Sequence, residues 1–323
     1  MGFNPKQIIQ RNIDAITVAL DFREGSSLNP YGYDLVRQYA GFGGIKAILY
    51  LGLSREEWAK MGASKSDFAL FQEINRLHEL LNSRLDPADY TKAVHSVKQS
   101  TLSAFFTPEV IPHTIYRALE ESGFKPENIY EPSAGSGVFL MDLKAHVPTA
   151  QKVVAVEKDY LTGLVLQAVA SYQGLEDFTV QIRGLEETSE SESEKFDLVA
   201  GNIPFGNYNI HDPAVDARYL SKIHNYFMVK SLEKLKDRGV LALVATRAVF
   251  DAPSNKPVRE FLLEHSDLLS ITVMPDNLMK ETANTEAPTH LILLQKNNHK
   301  KEISLSEKAL LETVTRHNTF GEY

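Results

Sequence analysis

Two short stretches of this chain hold residues whose types and spacing suit chemistry. The first runs from Ile129 to Leu140 and reads Ile-Tyr-Glu-Pro-Ser-Ala-Gly-Ser-Gly-Val-Phe-Leu. Its pattern is a β-strand, a turn bearing Gly135 and Gly137, and the start of an amphipathic helix over 137–145. The free N–H groups of such a helix face back into the loop, a place suited to a nucleotide or another polar ligand. Glu157 stands twenty positions beyond Gly137, at the end of the apolar run Val153-Val154-Ala155-Val156. That is the usual distance for a carboxylate that closes a second strand and holds ribose hydroxyls. A third glycine at 140 would complete the dinucleotide pattern, and Leu140 stands there instead.

The second stretch is Phe196-Asp197-Leu-Val-Ala-Gly201-Asn202-Ile203-Pro204-Phe205-Gly206-Asn207-Tyr208. A strand ends in Gly201 and opens into a loop with an amide, a proline and an aromatic ring. In a doubly wound sheet this end of the fourth strand faces the crevice that holds the first strand's cofactor. The loop suits a flat, amino-bearing substrate. The Asn202 side-chain oxygen and a main-chain carbonyl, that of Ile203, can accept both protons of an exocyclic amine. Those bonds aim the nitrogen lone pair at an electrophile and favour the charge gained on attack. Phe205 can stack on the ring, and Pro204 stiffens the acceptors. No strong base is needed, because nitrogen can attack before losing its proton.

The rest of the chain supplies elements to position these loops. Ile8, Ile9, Ile13, Ile16 and Leu20 fall at helical spacing over 6–23, and a helical segment is expected from Asp34 towards Tyr39. Three glycines in Ala40-Gly41-Phe42-Gly43-Gly44 argue for a tight turn or a close backbone contact. Ser54-Arg-Glu-Glu57 is a capping-box pattern, and Asp86-Pro87 places a cap residue before a proline. Residues 1–99 therefore read as a helical N-terminal region. Thr101 to Phe106 is an extended candidate, and Thr107-Pro108-Glu109 caps a helix running to Ser122. Strands are expected at 128–131, 152–157, 178–182, 196–200, 239–245, 268–274 and 289–295, with further helices at 159–171, 218–236 and 256–265. This alternation implies a doubly wound, mostly parallel, seven-stranded Rossmann-like α/β sheet over 100–296, with an antiparallel hairpin at its edge. A polar tail, 297–323, comes after it.

The totals narrow the classes. The 323 residues are 43% hydrophobic and 24% charged, as in globular domains, and no apolar run approaches the ~20 residues of a membrane span. The absence of cysteine excludes disulfides and thiolate metal sites, which fits the cytoplasm, and without a clustered His pair no transition-metal site is expected. A net charge of −8 argues weakly against nucleic acid, although a local cleft can still be positive.

The two loops together carry a resemblance. Glu-Pro-Ser-Ala-Gly-Ser-Gly followed by Asn-Ile-Pro-Phe resembles the S-adenosylmethionine-dependent methyltransferases that act on adenine N6 in DNA, whose signature is Asn or Asp, Pro, Pro, aromatic. The chain is more closely similar to the methylase domains of large phage and conjugative-element proteins, in which a helicase often follows. The likeness spans most of residues 8–296 and includes Tyr39-Ala-Gly-Phe-Gly-Gly44, Ser100-Thr-Leu-Ser-Ala-Phe-Phe-Thr-Pro108, Ile223-His-Asn-Tyr-Phe227 with Lys230-Ser-Leu232, and Thr285-Glu-Ala-Pro-Thr289. It implies a methyltransferase sheet and S-adenosyl-L-methionine as cofactor. Phe106, Thr107 and Pro108 would lie near the methionine part. Glu131, Ser133, Ala134, Gly135 and Gly137 would line the binding loop, and Glu157 would hold the ribose. Glu186 would lie in the turn where adenine packs, beside Leu185, which replaces the Asp of many relatives. Asn202, Ile203, Pro204 and Phe205 would be catalytic, with Ile203 in place of the commoner Pro.

Each assignment has a plainer counterpart: Glu131 as a loop acid, Glu157 as a strand-end charge, Phe205 as core packing and Thr107 as a helix cap. His224 reads as a packing or capping residue. Methyl transfer to adenine N6 of a flipped base in DNA is the leading function. The same loop type serves methyltransferases for cytosine N4, RNA and a protein glutamine, and a weakly active DNA-binding or protection module of a mobile element keeps the same fold. The expected partners are DNA and a target-recognition or helicase segment, in a longer chain or in a partner subunit.

Overall fold

The computed structural model describes residues 4–322 apart from 104–106, 142, 189–194, 277, 279–287, 315–316 and 319–320. Helix α1 (Pro5–Arg23) starts from Asn4, whose side chain accepts the Gln7 N–H, and buries Ile9, Ile13, Ile16 and Leu20 along one stripe. Helix α2 (Pro30–Val36) starts the same way from Asn29 and Pro30, earlier than the segment expected from Asp34. Helices α3 (Arg55–Lys60) and α4 (Lys65–Phe68) open on capping boxes at Ser54 with Glu57 and Ser64 with Asp67. Helices α5 (Phe71–Arg84) and α6 (Pro87–Ser103) come next, and Asp86 accepts the N–H groups of Ala88 and Asp89 at 2.9 Å.

Helix α6 corrects one expectation, because it runs through Ser103 where the sequence suggests an extended segment from Thr101. Neither Gly nor Pro interrupts the chain between Pro87 and Pro108, so nothing local stops the helix earlier. Helix α7 (Val110–Glu121) has Glu109, the last residue of the expected Thr107-Pro108-Glu109 cap, at its cap position, without a side-chain capping bond.

Seven strands form one sheet: β1 (Asn128–Glu131), β2 (Lys152–Glu157), β3 (Asp177–Ile182), β4 (Phe196–Asn202), β5 (Leu235–Thr246), β6 (Ser266–Val273) and β7 (Thr289–Lys296). Their order is β3-β2-β1-β4-β5-β7-β6. The pairs β2–β3, β1–β4 and β4–β5 are parallel, and β7 runs antiparallel to both β5 and β6. This is the doubly wound, mostly parallel sheet expected, with its antiparallel hairpin at the edge. The helices between and after these strands are α8 (Leu143–His146), α9 (Tyr160–Ser171), α10 (Ile223–Glu233), α11 (Ala248–Asp251) and α12 (Lys256–His265). Two helices are shorter than expected. The 137–145 segment is turns up to Met141 and then only the single turn of α8, while α10 begins at Ile223 and ends at Glu233, because β5 already starts at Leu235.

The chain divides into two compact units. The first comprises Met1–Lys125, Ala134–Gly184 and Asn277–Glu286. Its core joins α1, α5 and α6 to α9, which is apolar on nearly all sides and buries Leu161, Leu164, Val165, Ala168 and Val169. Each such Leu or Val contributes roughly 1.5–3 kcal/mol on burial. The second comprises Pro126–Ser133, Leu185–Asp276 and Ala287–Tyr323. Asp197 ties its first strand in place: one carboxylate oxygen accepts the N–H groups of Glu127 and Asn128, and the other accepts Lys236 at 2.9 Å. The tail carries a one-turn helix, Leu305–Lys308, whose Glu307 accepts the Leu268 N–H and pairs with Lys300 at 2.7 Å. The buried Arg259 donates to the carbonyls of Val249, Ala252 and Leu311. Among the described residues no helix is long and apolar enough to cross a membrane.

Candidate active site

In the first unit, the glycine loop is held by backbone and carboxylate. Gly135 (φ +57°) and Gly137 (φ +93°) both lie in the left-handed region, which cannot continue into a right-handed helix. The loop N–H groups therefore find other partners: Ala134 donates to the Val156 carbonyl and Gly135 to Glu157 Oε2, each at 2.8 Å. This replaces the expected helix N-terminus. At Gly137 a Cβ would come within 2.9 Å of Leu166 and 3.1 Å of Val169, so glycine is also required by packing on α9. At Gly135 a Cβ would meet nothing within 4 Å, so open space lies beside this residue.

Glu157 ends β2 and is partly buried. Its second oxygen, Oε1, accepts the Asp159 N–H at 2.7 Å. Burial and then the nearby Asp159 charge push its carboxyl up to about 7, against the opposing pull of its backbone hydrogen bonds. Asp159 caps α9 by accepting the Thr162 N–H at 2.9 Å.

In the second unit, Glu131 ends β1 and Asn202 ends β4, two neighbouring parallel strands. A Cβ at Gly201 would lie 3.5 Å from Glu131 Cγ and from Pro132 Cδ, so the acid and the start of the Asn202 loop are adjacent. Glu131 is buried, as is the Asn202 side-chain oxygen. Ile203 is buried, and its N–H extends the ladder to the Val244 carbonyl at 3.0 Å. Ser133, Pro204 and Phe205 are half-buried, and Tyr208 is exposed. The far end of the loop is fixed at Asp212, which is 3% exposed. Asp212 accepts the Tyr226 hydroxyl at 2.8 Å, Lys230 at 2.9 Å and the Ala214 N–H at 2.9 Å. Burial opposes its charge, but these donors outweigh burial and hold Asp212 below the ordinary carboxylate range.

The model of the N-6 DNA Methylase family matches residues 92–319, more than half of the 323. The chain belongs to that family. "Defense against restriction protein B" of Escherichia phage P1 is 25% identical over 265 residues, covering 77% of this chain and 11% of the phage protein. "Type II methyltransferase M.CvrRI" of Paramecium bursaria Chlorella virus XZ-6E is 25% identical over 194 residues, 58% of this chain and 48% of the viral protein. The chain thus spans about a tenth and about half of these two relatives. The fold is similar to that of the type I restriction-modification methyltransferase subunit from Streptococcus thermophilus, with a TM-score of 0.52 and 20% identity. That match covers 89% of this chain and 66% of the subunit.

Within this N-6 DNA methylase fold the structure gathers the sequence-selected residues into separate sets. Ala134, Gly135 and Glu157 are linked by hydrogen bonds around the glycine turn, and Gly137 seats that turn on α9. Glu131 and the Asn202-to-Phe205 loop meet at the carboxyl ends of β1 and β4. Glu186 lies in a single 3-10 turn after β3, and its charge acts on Tyr226. Thr107 and Pro108 are half-buried ahead of α7, and Phe106 lies outside the described residues. His224 is buried, with Asn255 3.4 Å from its Nε2, and burial pushes its pKa down to about 4, consistent with packing. A separate concavity lined by Asp216, Arg218, Tyr219, Glu233, Phe261 and Glu264 contains none of the selected residues.

Two residues of these sets escape sequence reasoning. Asp212 has partners 14 and 18 positions away, and the only local signal is that Tyr226 and Lys230 share a helix face at i,i+4. Asp159 is legible as a cap before the apolar run of α9, but its bond to Glu157 is not.

Proposed function

We propose that this chain is the methyl-transfer domain of an S-adenosylmethionine-dependent DNA methyltransferase acting on adenine N6. The observation that carries the reading is the Asn202-Ile203-Pro204-Phe205 loop at the carboxyl end of β4, beside Glu131 at the end of β1, in an N-6 DNA methylase family chain. The Asn202 side-chain oxygen and the Ile203 carbonyl accept the two amine protons of the target base, and Phe205 stacks on its ring. Extruding the base costs a few kcal/mol, offset by these contacts. Ile203 keeps the main-chain acceptor, and Pro204 stiffens the backbone beyond it.

The first unit fits an adenosyl group. Open space beside Gly135 and a carboxylate held by that residue's own N–H suit a ligand bearing vicinal hydroxyls. S-adenosylmethionine supplies an electrophilic methyl group when bound. Ala134, Gly135 and Gly137 shape the loop for it, and Glu157 accepts ribose hydroxyls. Phe106, Thr107, Pro108, Glu131, Ser133 and Glu186 are assigned to its remaining parts by resemblance to the family. A second segment or subunit that reads the DNA sequence is consistent with the small share of the phage relative that this chain spans.

The test is methylation of genomic DNA by the purified chain, followed by nucleoside mass spectrometry. N6-methyladenine is the expected product. N4-methylcytosine would move the acceptor to cytosine, and no product together with no cofactor binding would overturn the reading.

A further inference from the structure

Buried and half-buried polar groups of the first unit run from the N-terminal helices to the glycine loop. Asn12 of α1 donates to the Gly41 carbonyl and accepts the Ala40 N–H at 2.9 Å, fixing the turn after Tyr39. Gly41 (φ +60°) and Gly44 (φ +75°) supply the left-handed angles that turn needs. The buried Tyr39 hydroxyl lies 3.4 Å from Thr162 Oγ1 in the first turn of α9. From α6, the Ser96 hydroxyl donates to Asp159 Oδ2 and accepts the Leu161 N–H at 3.1 Å. Asp159 in turn gives its N–H to Glu157 Oε1, whose companion oxygen holds Gly135.

We infer that Ser96 is a positioning residue for the ribose-binding carboxylate, acting through Asp159 on Glu157. The inference rests on the cofactor reading above. Ser96 is only 3% exposed, and its oxygen serves two residues that closely follow β2, so it fixes the backbone from which Glu157 is held. An apolar side chain at 96 would leave Asp159 Oδ2 without this donor and the Leu161 N–H without its acceptor, loosening the backbone that presents the Asp159 N–H to Glu157. A carboxylate has about four acceptor positions, so Glu157 keeps capacity for a ribose hydroxyl beside its backbone bonds. Helix α6 of the N-terminal region is then part of the cofactor site's support.

The experiment compares two ligands in the full chain by calorimetry: S-adenosylhomocysteine and its 2′,3′-dideoxy analogue. Ser96→Ala should weaken S-adenosylhomocysteine about tenfold, the scale of one hydrogen bond to a charged group, and leave the dideoxy ligand nearly unchanged. Ser96→Thr, which keeps the hydroxyl, should restore the difference between the ligands. If Ser96→Ala does not fold, Ser96→Cys, which keeps the size of the side chain but offers only a weak donor, is compared with the same pair and should show the same ligand-selective loss. Equal losses for both ligands, or none, overturn the inference alone. A wild-type chain that binds neither ligand overturns the cofactor reading and this inference with it.

Discussion

Glu157 and Asp212 secure two loops in opposite ways. Glu157 accepts backbone N–H groups, lies beside a second acid and titrates near neutrality. Asp212 has a lysine, a tyrosine hydroxyl and a backbone N–H on its oxygens, which hold its carboxyl below the ordinary carboxylate range. The first arrangement leaves an acceptor that responds to ligand and proton. The second is a fixed tie. The proposed function assigns binding to the glycine loop and a fixed geometry to the Asn202 loop, and the two carboxylates differ in the same sense.

The largest expected effect breaks the second loop's chemistry and spares the first. Asn202→Ala removes the acceptor that the proposed function assigns to the target amine and should lower methyl transfer at least about a hundredfold, the scale of one lost preorganised polar contact in a transition state. S-adenosylhomocysteine affinity should be unchanged. Full transfer activity in this variant, measured by tritium incorporation into DNA, would remove Asn202 from catalysis.

The tie at Asp212 comes next. Lys230→Met leaves a carboxylate buried with its cation gone, a loss of roughly 3 kcal/mol in stability. Denaturant unfolding should register it, and transfer should fall while the dissociation constant for S-adenosylhomocysteine holds. Asp212 is buried and Lys230 mostly so, with side-chain exposures of 4% and 16%, so salt should screen the pair little. Unchanged stability would mean that Tyr226 and the Ala214 N–H suffice.

The same contrast marks how far the sequence is legible. Strands β1 and β2 are apolar runs bounded by polar residues, and their expected limits coincide with those observed. Strand β5 is expected only from 239, because the helix before it is expected to run to 236. In the fold Arg238 adopts φ +67° inside an irregularity that the strand passes through, with pairing already present at Leu235. The Asn202 loop is legible because its amide, carbonyl, proline and ring are consecutive. Its supports and those of the glycine loop are not, because Ser96 and Asp159 are 63 positions apart and Asp212 meets Tyr226 across 14. The helix expected at 137–145 fails for a local reason: glycine permits many backbone angles, and Gly135 and Gly137 both take ones that exclude the helix.

The finest test of the comparison is pH. Glu157 binds its proton more tightly when folded than its ordinary value of 4.5 implies, so the folded chain loses stability from this group as pH rises from about 4.5 to about 7. Asp212 has the opposite sign: its contribution is complete above its unfolded pKa and is lost as pH falls through the lower folded value. Ligand binding should follow Glu157 alone, because a ribose hydroxyl donates best to the ionised carboxylate. S-adenosylhomocysteine affinity, measured by calorimetry on either side of neutrality, should therefore weaken as pH falls through about 7. Glu157→Gln should weaken binding about tenfold at the alkaline end and flatten the profile, since its amide cannot titrate. A variant profile with the same slope as wild type would place the titrating group elsewhere and leave Glu157 as a loop support only.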